Sequence, residues 1–317
     1  MISKNCKQAK KIVSTNGIIG LPTETVYGLA GNAFSEEAID KIYKLKNRPS
    51  NNPLIVHISS INELNKVAVD IPELAYKLAK HFWPGPLTMV LKKHPSIPYS
   101  VTSGKETVAV RVPNHPLCLK LLQSIDFPLV APSANPFGNV SPTNAKHVAN
   151  YFGKKLEFVL DGGSCEKGVE STIIGFENDQ PTLYRYGSVS VEAIQEVCGK
   201  LNFDRFNDEK PIAPGMFSRH YSPKTKFVVT EDIENAIENN KGLKIGLLLF
   251  DKEITSKEPC VKELLSSSGN LDEAAKNLYS AMIRLDAQQL DVILAQFVPD
   301  KGVGKAINDR LKRASQK

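Results

Sequence analysis

The chain has no apolar run approaching the roughly 20 residues needed to cross a bilayer; its longest, such as Leu247-Leu248-Leu249-Phe250, are strand-sized. Met1 to Lys11 carries scattered lysines with no apolar stretch behind them, so no conventional secretory signal is expected. Five cysteines (Cys6, Cys118, Cys165, Cys198 and Cys260) lie far apart, with no C-x-x-C and an odd total. A disulfide framework or structural zinc site is therefore not expected, and a reducing cytoplasm is the default. The nucleotide and hydrolase signatures are missing too. Gly302-Val303-Gly304-Lys305 has Pro299 where a phosphate-binding loop needs its first glycine, and Ala306 after the lysine. There is no G-x-G-x-x-G after a strand, no G-x-S-x-G, no H-E-x-x-H and no carboxylate cluster dedicated to a metal. Twenty Gly and twenty Pro are near ordinary usage, which excludes collagen-like and low-complexity chains.

What is present is ordinary globular material: 317 residues, 41% hydrophobic and 23% charged. That length allows one large domain or two ordinary ones. The net charge is +6, from 40 basic and 34 acidic residues. It divides unevenly: 25 basic against 20 acidic in residues 1–222, but 15 against 14 in 223–317. The excess therefore belongs to the larger N-terminal part. It fits a nucleic-acid surface, a site for small anions, or solubility alone.

The N-terminal part alternates strand and helix patterns. Gly17–Leu21 reads as a buried strand ending at Pro22. Ser35 reads as a helix N-cap with Glu36 and Glu37 in the first turn, where the helix dipole favours carboxylates. Ala38, Ile39, Ile42, Tyr43 and Leu45 follow at helical spacing. Further strands are predicted at 54–58, 87–91, 107–112, 129–131, 157–160, 171–174 and 182–186, and helices at 72–82, 116–124, 144–152 and 191–197. Residues 202–223 are polar, with turn chemistry at Pro214-Gly215, and read as a linker. Beyond it, strands at 226–230, 244–250 and 291–297 alternate with helices at 231–239 and 271–288. That pattern predicts a small second α/β domain with a parallel sheet.

The segments able to carry chemistry lie where strands give way to loops. Pro22-Thr23-Glu24-Thr25-Val26-Tyr27-Gly28-Leu29 directly follows the first strand, and ligands in α/β sheets bind outside the carboxyl ends of strands. Its hydroxyls either orient a substrate or bond the local backbone. Lys44, Lys46 and Arg48 close the Ser35 helix, either complementing the helix C-terminus or clamping phosphate. Pro132-Ser133-Ala134-Asn135-Pro136 sets a hydroxyl and an amide on a rigid turn. Gly162-Gly163 and then Gly168-Val169-Glu170-Ser171-Thr172 form a Gly-rich loop entering a strand, which lets backbone N–H groups approach an anion. His57, inside an apolar strand, reads first as a satisfied core histidine and only second as a ligand contact.

In this order, with Lys46-x-Arg48-Pro49, Pro53-Leu54-Ile55-Val56-His57, Trp83-Pro84-Gly85-Pro86-Leu87-Thr88 and Arg111-Val112-Pro113, these segments resemble the YrdC/Sua5 family. Pro214-Gly215-Met216…Arg219-His220-Tyr221-Ser222-Pro223 and the tail Gly302 to Leu311 resemble its two-domain, Sua5-type form. The resemblance implies a fold class: α/β, with a YrdC-like twisted open sheet and helices, plus a smaller Rossmann-like C-terminal α/β domain. It implies a catalytic domain at 1–201, a linker and flap at 202–223, and a C-terminal domain at 224–317.

It also implies an activity, L-threonylcarbamoyladenylate synthesis, a nucleotidyl transfer. L-Threonine, bicarbonate (or CO2) and ATP would be joined with release of pyrophosphate. The product would feed t6A formation at adenosine 37 of tRNAs reading ANN codons, through the tRNA threonylcarbamoyl transferase machinery. Mg2+ would accompany ATP, held mainly by phosphates and water, with no protein metal site. Carried over by position, Lys46, Arg48, Ser133 and Asn135 are the expected catalytic groups. With Asn52, Thr107, Ser141, Arg185, His220 and Tyr221 they would contact ATP. Thr23, Thr25, Tyr27, His57, Arg111, Ala131 and Ser171 would form the threonine pocket. The competing reading is a non-catalytic RNA-binding or ribosome-maturation module on the basic surface. It predicts clustered Lys/Arg among exposed aromatics, and no basic run exceeds Lys10-Lys11 or Lys92-Lys93. Weak RNA contact remains compatible with either reading, and no membrane partner is expected.

Overall fold

The computed structural model describes residues 1–177, 180–204, 221–255 and 258–316. The first part of the chain runs β1 (Ile2–Ser3), α1 (Cys6–Ser14), β2 (Ile19–Leu21), β3 (Gly28–Asn32), α2 (Glu36–Lys46), β4 (Ile55–His57), α3 (Glu73–Phe82), β5 (Leu87–Lys92) and α4 (Tyr99–Thr102). It continues through β6 (Thr107–Arg111), α5 (Pro116–Ser124), β7 (Leu129–Val130), α6 (Ala145–Phe152), β8 (Val159–Leu160), β9 (Thr172–Glu177), β10 (Gln180–Arg185), α7 (Val191–Cys198) and β11 (Asn202–Phe203). Among the described residues these strands form one mixed sheet in the order β1-β8-β2-β3-β7-β4-β6-β5-β9-β10-β11. Its main core joins Leu29, Ile42, Val56, Leu78, Met89 and Val110 with residues from α7 such as Ile194.

The helix read from Ser35 forms for the expected reason. The Ser35 side chain accepts from the Ala38 N–H, and Glu36 and Glu37 occupy the first turn. Its end decides where the cations go. Asn47 takes a left-handed conformation (φ 51°), a role in which Asn substitutes for glycine, and its N–H closes on the Lys44 and Tyr43 carbonyls. The chain thus turns directly after Lys46 and aims Arg48 back toward the sheet.

Besides the short β1 and α4, which the sequence reading did not assign, three elements of this part of the chain depart from it. Gly28–Asn32, of which only Gly28 and Leu29 were read as loop, is an inner antiparallel strand pairing with β2 and β7. Its residues are small because neighbours press on it: a Cβ at Gly28 would lie 2.9 Å from the Ala131 Cβ. Cys6–Ser14 forms a helix capped by the Asn5 side chain. Asn202–Phe203, placed in the polar linker, adds an edge strand parallel to β10.

A second sheet follows, from β12 (Lys226–Thr230), α8 (Ile233–Glu238), β13 (Ile245–Leu249), β14 (Cys260–Leu264), α9 (Leu271–Asp286), β15 (Val292–Gln296) and α10 (Gly304–Ser315). Its order is β12-β15-β13-β14, and every pair is parallel, as predicted. β14 and α10 were not foreseen. The two sheets share a core cluster: Val26, Val140 and Val169 from the first part pack with Tyr221, Leu278, Tyr279 and Ile307. No helix among the described residues is long and apolar enough to cross a membrane.

Candidate active site

A narrow cleft opens at the carboxyl ends of β2, β4 and β6, where the alternation of strands and loops places ligands. Thr23, Thr25, Gly28, Arg48, His57, Arg111, Ala131, Ser133, Glu170, Ser171, Arg185 and Tyr221 line it. These residues come from eight separate stretches of sequence, and nearly all the polar ones are buried.

The two threonines do both things open to them. Thr23 Oγ1 donates to the Val26 carbonyl at 2.6 Å and accepts from the Thr25 and Val26 N–H groups, which fixes the turn. Thr25 Oγ1 accepts from Arg111 Nη1 at 3.0 Å. Arg111 Nη2 also lies 2.6 Å from Glu24 Oε1, both side chains almost fully buried. That contact is off the hydrogen-bond direction, leaving Arg111 Nη2 and both Glu24 oxygens without a hydrogen-bond partner. The pair is held by charge attraction and retains hydrogen-bonding capacity toward a ligand.

His57 Nδ1 faces the Ile55 carbonyl at 3.1 Å, which assigns the ring proton to Nδ1 and leaves Nε2 as an acceptor. Burial, then the neighbouring Arg111, pull its pKa down to about 3. The ring is therefore neutral at physiological pH, a buried histidine that also lines the cleft.

Two further cations, Arg48 and Arg185, line the cleft. Arg48 donates through Nε and Nη2 to the Asn52 carbonyl, the Asn52 Oδ1 and the Pro53 carbonyl, and burial lowers its pKa to about 10. Arg185 donates through Nη2 to the Ser171 carbonyl at 2.8 Å and to its hydroxyl at 3.1 Å. Ser171 Oγ also meets Thr88 Oγ1 at 2.7 Å. Burial lowers the Arg185 pKa as well. Each guanidinium is oriented by a fixed set of acceptors, as a preorganised anion site requires.

Lys46 stands one layer back. Its Nζ donates to the Ser133 and Asn135 carbonyls, both at 2.5 Å, so it braces the Pro132–Pro136 turn. Burial, then Arg48, hold its pKa well below the lysine range. Asn135 Nδ2 bonds the Pro136 and Asn139 carbonyls, while its Oδ1 is buried without a partner, as is Asn52 Nδ2. Buried orphan polar atoms are uncommon in native proteins, and these gather around one cleft.

Among the sequence-predicted residues, the cleft lining brings together Thr23, Thr25, His57, Arg111, Ala131 and Ser171 with Arg48, Ser133, Arg185 and Tyr221. Lys46, Asn52, Asn135 and Ser141 support it from behind. Tyr27 is fully buried off the cleft, its hydroxyl donating to the Gly163 carbonyl and accepting from the Gly162 N–H. Thr107 begins β6 at the far end from Arg111, four residues or about 13 Å along the strand, and does not line the cleft. His220 lies outside the described residues. Glu24 and Glu170 were quoted within motifs but given no role. Their signal was weak, because a carboxylate in a loop is usually solvated. Burial pushes the Cys165 thiol up, leaving it protonated and unreactive.

Fold and cleft define an α/β protein that holds small anionic molecules at the ends of its strands. The family Sua5_yciO_yrdC, described as "Telomere recombination", matches residues 11–187, and Sua5_C, described as "Threonylcarbamoyl-AMP synthase, C-terminal domain", matches residues 189–316. A curated relative in Pyrococcus abyssi, named threonylcarbamoyl-AMP synthase, is 42% identical across 94% of this chain and 90% of its own. One of the same name in Bacillus subtilis is 39% identical across 97% and 92%. The crystal structure of P. abyssi Sua5 complexed with L-threonine superposes with a TM-score of 0.92 at 39% identity, covering 98% of this chain and 94% of that one. The chain belongs to the Sua5/YrdC family, in its two-domain form.

Proposed function

We propose that this chain makes L-threonylcarbamoyl-adenylate from L-threonine, bicarbonate or CO2, and ATP, releasing pyrophosphate. The observation that carries the reading is one buried cleft where Arg48, Arg111 and Arg185 converge, in a chain so similar to threonylcarbamoyl-AMP synthases over nearly its full length. The product serves t6A formation at adenosine 37 of tRNAs reading ANN codons and passes to the tRNA threonylcarbamoyl transferase machinery.

The chemistry asks for alignment and charge neutralisation, which this cleft is built to supply. The threonine amine adds to CO2, losing a proton and forming a carbamate. A carbamate oxygen then attacks the α-phosphorus of ATP, and the bond to the bridging oxygen breaks with pyrophosphate leaving. Arg111, already balanced by Glu24, shares its guanidinium with the threonine carboxylate. His57 Nε2 accepts a hydrogen bond from the amino acid. Arg48 and Arg185 neutralise the phosphates, and Ser133 and Asn135 meet the α-phosphate and carbamate on the turn braced by Lys46. Neutral His57 adds no fourth positive charge beside Arg111.

Among the described residues no group of three or more His, Cys, Asp or Glu could hold a metal ion. The two cleft carboxylates each face an arginine. Magnesium would come with the nucleotide phosphates, as MgATP, and would screen their charge. We divide the chain into a catalytic domain at 1–201, which β11 extends to Phe203, a linker whose residues 205–220 lie outside the described residues, and a C-terminal domain at 224–317. We place the chain in the cytoplasm, which suits five cysteines spread far apart along the sequence. The test is pyrophosphate release by the purified protein. It should need L-threonine and bicarbonate together with ATP, and equal release without threonine would refute the reading.

A further inference from the structure

Glu170 lines the cleft beside Ser171, yet its carboxylate is held from the other sheet's helices. Arg310 on α10 donates from Nε to Oε2 at 2.9 Å. The Tyr279 hydroxyl on α9 lies 2.9 Å from Oε2 and 3.1 Å from Oε1. From its own side, Ser141 Oγ donates to Oε1 at 2.7 Å. The fully buried Arg310 guanidinium also donates from Nη2 to the Tyr186 carbonyl at 2.8 Å and from Nη1 to Asp309. Its carbon lies 4.8 Å from the centroid of the Tyr221 ring, which stacks on Tyr279 at 5.8 Å and 25°. Tyr221 holds φ 64°, a left-handed conformation that a bulky residue adopts only when its surroundings impose it. One guanidinium therefore touches two cleft-lining groups, Glu170 and Tyr221, that stand 51 residues apart in the chain.

A buried ionic network stabilises a fold poorly compared with apolar packing of the same volume. What this one supplies is direction. We propose that Arg310 and Tyr279 are positioning residues for the reaction, fixing the Glu170 carboxylate and the Tyr221 ring so that ATP affinity depends on the C-terminal domain. The proposal rests on the reading that this cleft takes ATP with threonine.

The groups facing Glu170 are Arg310 on α10, Tyr279 on α9, Arg185 on β10, Ser141 and Tyr221. Burial works to raise its pKa, but Arg310, then Arg185 and the Ser141 hydroxyl, bring it down to about 2. Without Arg310 the carboxylate faces Arg185 as its one cationic neighbour among these. It then competes with the nucleotide for that guanidinium, and on acidification takes up a proton.

The experiment uses the full chain with Arg310→Gln, Arg310→Lys and Tyr279→Phe. ATP affinity is measured by calorimetry, and pyrophosphate release from pH 5.5 to 9. Arg310→Gln should raise the ATP KM roughly tenfold to a hundredfold, the loss of one or two charged hydrogen bonds, with the threonine KM changed less than threefold. Its kcat/KM for ATP should gain an acid limb absent from the parent, and adding Glu170→Gln should remove that limb. Arg310→Lys should recover part of the ATP affinity. Tyr279→Phe should raise the ATP KM severalfold, and it decides the matter if Arg310→Gln fails to fold. An unchanged ATP KM in Tyr279→Phe and Arg310→Gln overturns the proposal. So does a loss of activity matched by the lost folded fraction with no new pH dependence. If the parent shows no threonine-dependent turnover, the functional reading fails, while the calorimetric ATP affinities still test the positioning role.

Discussion

His57 offers a direct check on the electrostatics of the cleft. Its pKa is about 3 in the folded protein against 6.5 for an unperturbed ring. A depressed folded value means that the unfolded chain binds the extra proton first. The stability contributed by His57 is thus complete above pH 6.5 and lost as pH falls toward 3. At 1.36 kcal/mol per unit, the whole shift amounts to about 5 kcal/mol, of which about 2 kcal/mol is lost between pH 7 and pH 5. His57→Asn keeps a polar side chain but cannot titrate. Trp83, the sole tryptophan, packs in the same core with its indole N–H on the Leu87 carbonyl, so its fluorescence reports that part of the chain. Urea unfolding followed at Trp83 should show the parent losing about 2 kcal/mol more than His57→Asn between pH 7 and pH 5. Titration of His147 and Glu170 is common to both proteins and cancels. Equal losses would mean that His57 accepts a proton in place, which would refute the neutral ring and its Nε2 acceptor role.

Arg48→Lys keeps the charge but cannot hold the Asn52 and Pro53 acceptors in the same fork, so the ATP KM should rise about tenfold or more, read from initial rates against ATP. Lys46→Met keeps the length but strands the Ser133 and Asn135 carbonyls. Thermal and urea unfolding should show a loss of about 2–4 kcal/mol, with adenylate formation abolished even where the protein stays folded. Deleting residues 202–317 should impair pyrophosphate release severely, because Val26, Val140 and Val169 lose their apolar cover and Glu170 loses Arg310.

The sequence exposed those parts of the fold that are encoded over a few residues. The Ser35 cap bonds a backbone N–H three residues on, so its signal is local and it was readable. The strand Gly28–Asn32 was not, since its small residues answer to Ala131 and Ala38, which arrive from elsewhere in the chain. The helix α10 was hidden because Arg310 and Arg313, which look like surface residues, are buried inside. At the cleft, the arginines and hydroxyls could be read from motif order. That Lys46 braces a turn, and that Glu24 is buried against Arg111, depends on contacts across 87 residues, which no local spacing records. The clamp of Arg310 on Glu170 spans 140 residues and two sheets.

The central claim is that carbon from bicarbonate ends between threonine and the α-phosphate. Incubating the protein with [13C]bicarbonate, L-threonine and MgATP, followed by mass spectrometry of the nucleotide products, tests it directly. The account predicts a threonine–carbamoyl–AMP species one mass unit heavier than with unlabelled bicarbonate, formed only when all three substrates are present. An adenylate of threonine without the labelled carbon, or no threonine-dependent adenylate at all, would contradict it.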